Sequence, residues 1–321
     1  MRLSQSVVQV ITFGLAVFGI GAASAQDYPN KPVRILTGGA GSNADIISRL
    51  VAQGISGPLG QQVIVDNRVS GVPLGSAAAK SPPDGYTLLV TSSSMWLLPF
   101  LQENVPFDPI SDFAPVSLLV SSPNILVVHP SLPVKSVKEM IALAKARPGV
   151  LNYASGVDGA TPHLAAELFK SLARVNIVKV NYKGGGPALT GVISGESHLM
   201  FATASAATPH IKSGRLRAVA VTSAEPSTLV PGLPTVASAG LRGYEVVAMS
   251  GMFAPVKTPA AVINRLNQEI VRYLALPNTK AQLLNTGADA VSSSPEQFGA
   301  KVKAEMAAFG TIIKDARAKA K

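Results

Sequence analysis

The chain has 321 residues, 47% of them hydrophobic and only 14% charged, and a net charge of +10. Such a composition supports a large packed core, in one large domain or two ordinary ones, and excludes a largely disordered chain. The absence of cysteine excludes disulfides, thiolate metal sites and anchoring through a lipid-modified cysteine.

The N-terminus is typical of a secretory signal peptide. Arg2 supplies a positive start, residues 7–20 are apolar and uncharged, and Ala23-Ser24-Ala25 matches a cleavage site. Because the apolar stretch is shorter than the roughly 20 residues that a membrane span needs, cleavage is favoured over an anchor. We expect residues 1–25 to be removed on export, leaving Gln26 as the mature N-terminus.

The positive charge does not indicate a nucleic-acid-binding protein. An exported protein meets little nucleic acid, and the sequence has neither an RNP-like aromatic motif nor zinc-finger spacing. The basic C-terminal segment, residues 314–321, is typical of a solvated helix end. A diffuse positive field instead favours small acidic ligands or an anionic membrane surface.

Strand and helix patterns alternate along the chain, which is typical of a parallel sheet covered by helices. Short apolar strands are predicted at VRILT, QQVIVDN and YTLLVTSS, with an amphipathic helix at residues 44–56 after the first of them. The segment FAPVSLLVSSPNILVVHP then predicts two strands split by Ser121-Ser122-Pro123. An amphipathic helix capped by Ser136 follows.

Five further strands are predicted at LNYAS, VNIVKVNY, SHLMFAT, LRAVAVTS and VVAMSGMFAP, and amphipathic helices at residues 259–275 and 295–316 close the chain. The middle block is a complete βαβ set, and the flanking blocks make another. A chain that leaves one α/β lobe and later returns crosses twice, so we expect a cleft with two hinge strands. We divide the mature chain into lobe 1, residues 26–123 and 223–321, and lobe 2, residues 124–222.

The loop Gly38–Asp45 is a candidate anion site between a strand and a helix. Backbone N–H groups at a strand end and a helix start point the same way, and such a nest binds a carboxylate without a charged side chain. A tight turn with Ser42 or Asn43 as the helix cap explains the same residues.

The same loop also allows a dinucleotide-binding interpretation. GAGSNA, residues 39–44, matches G-x-G-x-x-A before a helix, and Asp66 ends the next strand, where such a fold has its ribose-binding acid. However, Asp45 lies close to the pyrophosphate position and repels the phosphates unless its carboxylate points away. Export also separates the protein from nicotinamide cofactors. We therefore expect no cofactor.

A second candidate anion site lies in SGVDGATPH, residues 155–163. Small residues leave the backbone bare before a helix that Thr161 is predicted to cap and Pro162 to begin. His163, in the first turn, either touches the ligand or braces the loop. Because the dipole disfavours a cation at a helix start, bracing is the preferred interpretation.

Motifs for catalysis are absent from the sequence. It has no cysteine nucleophile, no G-x-S-x-G, S-x-x-K or H-E-x-x-H, and its four histidines are widely spread. We therefore expect no catalytic residue, no metal site and no enzymatic activity. Two features stay open: Trp96 is either a cleft wall or a core residue, and YKGGG, residues 182–186, is either a plain loop or a close backbone approach.

Several ordered segments together resemble one family: YPNKPVRIL, PDGYTLLV, NILVVHPSLPVKSVKEMIALAKARPGVLNYAS, YKGGGPAL, PHIKSGRLRAVAVTS and LPTVASAGLRGYE. The chain resembles the tripartite tricarboxylate transporter receptor family, periplasmic solute receptors also called Bug proteins, from Asp27 to Lys321. The resemblance implies a type II periplasmic-binding-protein fold in which each of two α/β lobes is a βαβ sheet covered by helices, with a cleft between them.

The resemblance also implies a carboxylate ligand in the cleft, held by loop backbone, hydroxyls and ordered waters. The family's first loop usually contains Pro-Pro-Gly-Gly, which TGGAGSNAD lacks, and Asn181 stands where proline is commoner. The matched ligand-binding positions are Gly39, Gly41, Ser42, Asn43, Asp45, Thr91, Ser92, Ser93, Ser155, Gly156, Gly159, Thr161, His163 and Thr203.

We thus expect a monomeric, non-enzymatic periplasmic receptor that passes a small carboxylate to the membrane permease components of a tripartite tricarboxylate-type transporter. Nucleic acid is not an expected partner. A ligand sensor that presents its closed form to a membrane signalling partner fits the same sequence features. A dinucleotide-dependent enzyme is the remaining alternative.

Overall fold

The computed structural model describes residues 28–156 and 160–320, so the predicted signal peptide and Gly159 lie outside the described residues. None of the helices in this part of the chain is both long and apolar enough to cross a lipid bilayer. The strands are β1 (Val33–Thr37), β2 (Val63–Asn67), β3 (Thr87–Ser92), β4 (Phe113–Val128), β5 (Asn152–Ser155), β6 (Val178–Asn181), β7 (Leu199–Thr203), β8 (Arg217–Val221), β9 (Val247–Pro255) and β10 (Asp289–Ala290). The helices are α1 (Asn43–Leu59), α2 (Val72–Ala79), α3 (Ser93–Trp96), α4 (Leu98–Leu101), α5 (Val137–Ala146), α6 (Thr161–Ala173), α7 (Gly185–Ile193), α8 (Ala204–Lys212), α9 (Ala260–Ala275), α10 (Pro277–Asn285) and α11 (Pro295–Ala320).

The strands form two βαβ units on a shared strand. β1 is parallel to β2 and β3, and β5 is parallel to β6 and β7, as expected from the alternating pattern. The first unit has the strand order β2-β1-β3-β9-β4, and the second has the order β8-β4-β7-β5-β6. This arrangement confirms the expected α/β class with two sheet regions.

Strand β4 belongs to both sheet regions. Its residues Phe113–Pro123 pair with β9, whereas Asn124–Val128 pair with β7 and mostly with β8 as well. The sequence predicted two strands here, so the expected break at Ser121-Ser122-Pro123 is wrong. Pro123 is tolerated because its missing N–H falls where the strand changes partners rather than inside one ladder.

Hydrogen bonds at the change of partner tie the end of β8 to β4. The Asn124 N–H donates to Thr222 Oγ1 at 2.8 Å, and the Thr222 N–H donates to the Asn124 carbonyl at 3.0 Å. We propose that the first lobe boundary lies here, between Pro123 and Asn124.

The segment that returns from β8 to β9 packs on the second lobe before it crosses. Tyr244 Oη donates to the Ala165 carbonyl at 2.9 Å, and the Tyr244 ring stacks on Phe201 at 6.3 Å between centroids. The Val246 N–H donates to the Thr222 carbonyl at 2.9 Å. We therefore propose that the return crossing lies next to Val246, later than the boundary at residue 223 suggested by the sequence.

Helix α1, which starts at the interlobe region, packs closely on α9. Gly54 of α1 faces Tyr273, and a Cβ atom at Gly54 would lie 2.2 Å from the tyrosine ring. The absence of a side chain at residue 54 therefore fixes the distance between the two helices.

We expect Gly54→Ala to lower the free energy of unfolding by about 1–3 kcal/mol, because the added methyl group overpacks against Tyr273. In a Tyr273→Ala background the same change should cost much less, since helical Ala is otherwise favoured over Gly by about 0.5–1 kcal/mol. Denaturant unfolding of the four proteins of this double-mutant cycle measures the coupling. An equal cost in both backgrounds would contradict the packing described.

Candidate ligand-binding cleft

A cleft of about 780 Å³ opens where the two sheet regions meet. The end of β3, the change of partner on β4 and the starts of α1, α6 and α8 all contribute to its lining. Apolar side chains form part of the wall, and hydroxyl and amide groups form most of the remainder. Among the described residues that line the cleft there is no lysine or arginine.

Helix N-termini supply the positive potential that this lining lacks. Asn43 of α1, Thr161 of α6 and Ala204 of α8 all line the cleft. The N-cap residues of α6 and α8 make no side-chain cap hydrogen bond. Backbone N–H groups at such helix starts are unsatisfied, and the dipole favours an anion there. The last turn of α10, at residues 285–287, brings a helix C-terminus to the same cleft.

The predicted cap of α6 is wrong in one respect. The N-cap is Ala160, with φ −70° and ψ 155°, and Thr161 and Pro162 occupy the first helical positions. Alanine cannot accept a hydrogen bond through its side chain, so the helix start lacks the cap that the sequence suggested. Thr161 instead lies among the residues that line the cleft.

The first-lobe loop is largely filled by its own aspartate. Asp45 Oδ2 accepts the Gly41 N–H at 2.9 Å, and Oδ1 accepts from Asn67 Nδ2 at 2.8 Å and lies 3.0 Å from Arg49 Nε. These donors hold the pKa of the Asp45 carboxyl below its usual value, although burial acts in the opposite direction. Ser42 caps α1 by accepting the Asp45 N–H at 3.2 Å.

This network corrects the expectation of an open cradle at Gly38–Asp45. Asp45 is 3% exposed and is not among the lining residues, and neither are Gly39, Gly41 and Ser42. Of the positions matched in this loop, only Asn43 reaches the cleft. The Asp45 carboxylate also takes a glycine N–H that a pyrophosphate would need, which argues against the dinucleotide interpretation.

The remaining matched positions divide between the lining and the layer beneath it. Ser92, Ser93 and Thr203 line the cleft with Thr161. Thr91 is buried within β3, where it pairs with Gly251. In the second lobe, Ser155 and His163 are buried, and Gly156 is partly exposed; none of the three lines the cleft.

The second-lobe loop contains a close backbone approach. A Cβ atom at Gly156 would lie 2.3 Å from the carbonyl carbon of Gly184, so only glycine fits at position 156. Gly184 is the N-cap of α7 and has φ 115°. YKGGG is therefore not a plain loop: its backbone packs against Gly156, directly after β5.

Glu305 is a cleft residue that the sequence analysis missed. It lies on α11, and its Oε2 accepts from Trp96 Nε1 at 2.6 Å and from Ser93 Oγ at 3.2 Å. It is the only charged side chain among the described lining residues. Burial raises the pKa of Glu305 to about 7, against the lowering effect of its two donors.

Trp96 is a core residue that holds this glutamate. It is fully buried, and its ring packs on Phe253 and Phe298 with centroids 5.8 and 6.0 Å away. A sequence signal for Glu305 existed, because it interrupts the apolar stripe of α11. Its neighbours in that stripe, spaced by three or four residues, are Phe298, Val302, Phe309 and Ile313, all buried.

Asn124 is a second residue that the sequence analysis did not single out. It lines the cleft at the change of partner on β4 and is 2% exposed. Its Nδ2 atom is buried without a hydrogen-bond partner among the described residues. The cleft therefore contains an unused donor on the strand that both lobes share.

The model of the tripartite tricarboxylate transporter family receptor matches residues 47–317. Protein BugT of Bordetella pertussis is 33% identical over 321 residues, which cover 98% of this chain and 98% of that protein. A UPF0065 protein of Pseudomonas sp. is 32% identical over 315 residues, or 97% and 94% of the two chains.

Solved structures extend the comparison. R. palustris Rpa4515 with adipate is 33% identical, with a TM-score of 0.65, and the match covers 90% of this chain and 98% of that chain. MatC from Rhodopseudomonas palustris with bound malate is 27% identical, with a TM-score of 0.63 and coverage of 89% and 100%. A solute-binding protein from Polaromonas, 21% identical with a TM-score of 0.82 over 90% and 99% of the chains, confirms the two-lobed fold.

The pKa of Glu305 predicts a pH-dependent stability. An unfolded glutamate titrates near 4.5 and the folded one near 7, so the folded state holds the extra proton between these values. The free energy of unfolding of the wild type should therefore fall as pH rises from about 4.5 to 7, by about 3 kcal/mol relative to Glu305→Gln, and level off above. Denaturant midpoints across this range measure the difference. If the denaturant midpoints of the wild type and Glu305→Gln change equally with pH, the raised pKa of Glu305 would be contradicted.

Proposed function

The chain belongs to the tripartite tricarboxylate transporter receptor family, and we propose that it binds a small carboxylate in its cleft for uptake by such a transporter. The family consists of periplasmic solute-binding proteins, and the solved relatives include complexes with adipate and malate. One observation carries the proposal for this chain. Helix N-termini without side-chain caps line a cleft whose described wall has no basic side chain.

Main-chain donors are the chemical basis of the proposed recognition. The oxygens of a ligand carboxylate would accept the N–H groups at the starts of α6 and α8, with hydroxyls of Ser92, Thr161 and Thr203 beside them. Each hydrogen bond to a charged group contributes about 1.5–3 kcal/mol. A few such bonds exceed the cost of ordering a small ligand and closing the lobes.

Contacts from both lobes couple binding to closure. Asn43 and Ser92 belong to the first lobe, and Thr161 and Thr203 belong to the second. A ligand that touches both sides binds the closed form better than the open form, and it shifts the population by that difference in affinity. The shared strand β4 is the natural hinge for this motion.

Apolar side chains between the polar groups suggest the shape of the ligand. Ile46, Leu97, Leu101 and Leu164 line the same cleft, and they favour a ligand with a short hydrocarbon segment. A dicarboxylate with methylene groups between its ends, such as adipate, combines both features. We therefore propose a small dicarboxylate as the ligand class.

The cellular setting follows from the same proposal. We propose export with cleavage after Ala25, a monomeric receptor in the periplasm, and delivery of the ligand to membrane permease components rather than chemical turnover. Neither nucleic acid nor a cofactor has a part in this proposal.

A thermal-shift panel tests the function directly. Adipate, malate, citrate, hexanoate and NAD would be added to the purified mature protein, and a ligand that binds the folded state raises the melting temperature. We expect dicarboxylates to raise it and to be recovered unchanged by NMR after incubation. A shift with NAD alone, or conversion of the carboxylates, would reject the receptor function.

A matched pair of substitutions at Ala160 tests the helix-start mechanism. Ala160→Ser and Ala160→Asp both supply the missing cap, and both should raise the free energy of unfolding by about 0.5–2 kcal/mol. Only the aspartate puts a negative charge where the ligand carboxylate would lie. Calorimetry should therefore show adipate affinity reduced at least about tenfold by Asp and changed by less than about threefold by Ser. Wild-type affinity in the aspartate variant would exclude the α6 start from the anion site.

A further inference from the structure

Two polar side chains in the lining of the cleft, Asn124 and Glu305, are separate from the helix N-termini described above. Asn124, which is 2% exposed, has a buried amide nitrogen without a hydrogen-bond partner. Glu305, on α11, is the only charged side chain among the described lining residues. A buried donor without an acceptor is costly, so its persistence points to a partner that arrives with the ligand.

The surroundings of Glu305 hold its carboxyl in one place. Trp96 Nε1 and Ser93 Oγ both donate to the same oxygen, Oε2, at 2.6 and 3.2 Å. Ser93 Oγ also accepts the Met249 N–H at 3.4 Å, so β9 supports the same position. The carboxyl is therefore fixed by the core rather than by a flexible salt bridge.

We propose that Asn124 and Glu305 form a second subsite, which binds the far carboxylate of a dicarboxylate only when Glu305 is protonated. The proposal rests on the proposed function and deepens it. Protonated Glu305 donates its O–H to the ligand carboxylate, and Asn124 donates its N–H, so both groups act as donors. Ionised Glu305 would face the ligand carboxylate as a like charge in a partly enclosed site.

The proton balance of binding follows directly. The dicarboxylate binds and dissociates in its doubly ionised form. Where Glu305 is ionised in the empty cleft, it takes up one proton from solvent when the ligand binds. Burial raises the pKa of Glu305 to about 7, so this uptake begins near neutral pH.

The charged neighbours of Glu305 do not override this behaviour. Glu245, in the segment before β9, raises its pKa, and Lys301, one turn earlier on α11, lowers it. Lys301 Nζ lies 3.3 Å from Glu245 Oε1, and both side chains are exposed. The elements that contact the carboxyl, α3 and β9, have no titratable side chain. Helix α6 also packs on α11 and carries His163, Glu167 and Lys170, but none of these shifts the pKa of Glu305.

Calorimetric titrations with two probes of equal length test the subsite. Adipate has a carboxylate at both ends, whereas hexanoate has one, and both are ionised between about pH 6 and pH 9. We expect the Kd for adipate to rise about tenfold per pH unit above about pH 7, with uptake of about one proton per ligand. The Kd for hexanoate should stay constant over the same range.

Substitutions test whether Glu305 is the group that takes up the proton. Glu305→Gln keeps a donor but cannot ionise, so adipate should bind with a Kd that no longer depends on pH. Glu245→Gln, the matched control outside the cleft, should keep the wild-type slope. Asn124→Asp, an isosteric change of donor into acceptor, and Asn124→Ala should weaken adipate about 10- to 100-fold, with a smaller effect on hexanoate. Asn124→Asp should also unfold at a lower denaturant concentration, because it buries a carboxylate. Asn124→Ala removes no protein hydrogen bond of the amide nitrogen, so it is the variant that separates weaker binding from lost stability.

The outcomes separate this inference from the function on which it rests. Adipate binding that is independent of pH in the wild type, or an equal pH dependence for hexanoate, would overturn the second subsite and leave carboxylate binding intact. Persistence of the slope in Glu305→Gln would also overturn it. A protein that binds neither adipate nor hexanoate at any pH would overturn the proposed function itself.

Discussion

The architecture depends on one strand that belongs to two sheet regions. β4 pairs with β9 up to Pro123 and with β7 from Asn124 onward, so the two lobes share a covalent and hydrogen-bonded axis. The reciprocal bonds between Asn124 and Thr222 fix the axis at the change of partner. In the closure that we propose, the lobes turn about this strand and bring Asn43 on one side toward Thr203 on the other.

This constraint also explains why polar groups concentrate at the floor of the cleft. A strand that leaves one ladder and enters another has a short stretch where its side chains face neither core completely. Asn124 occupies that stretch, and Glu305 lines the same cleft from α11, whose Phe298 and Phe309 belong to the main hydrophobic core. The proposed closure would therefore change the surroundings of the two residues that we assign to the far end of the ligand.

Local pattern predicted most elements but not their long-range partners. Alternation and amphipathic spacing predicted β1 to β3, α5 with its Ser136 cap, and β9, because these depend on neighbouring residues. Continuity of β4 through Pro123 depends on strands far along the chain. Helices α2 and α10 have weak apolar patterns and were missed. The direction of the Asp45 carboxylate depends on Asn67, 22 residues away, and that of Glu305 on Trp96, 209 residues away, so no local pattern could reveal either.

The close approach of Gly156 and Gly184 has a consequence for how such a receptor diversifies. At the starts of α6 and α8 the main chain presents the proposed donors for one ligand carboxylate, and only glycine fits at position 156, where the backbone of Gly184 lies close. Substitution cannot remove a backbone N–H except by proline, so these donors do not depend on the side chains at the helix starts. Among the apolar wall residues, Ile46 is exposed and tolerates a change of size, whereas Leu97 and Leu164 are buried in the core. A substitution at Ile46 would therefore alter the shape of the ligand that fits, while the main-chain carboxylate donors stay unchanged.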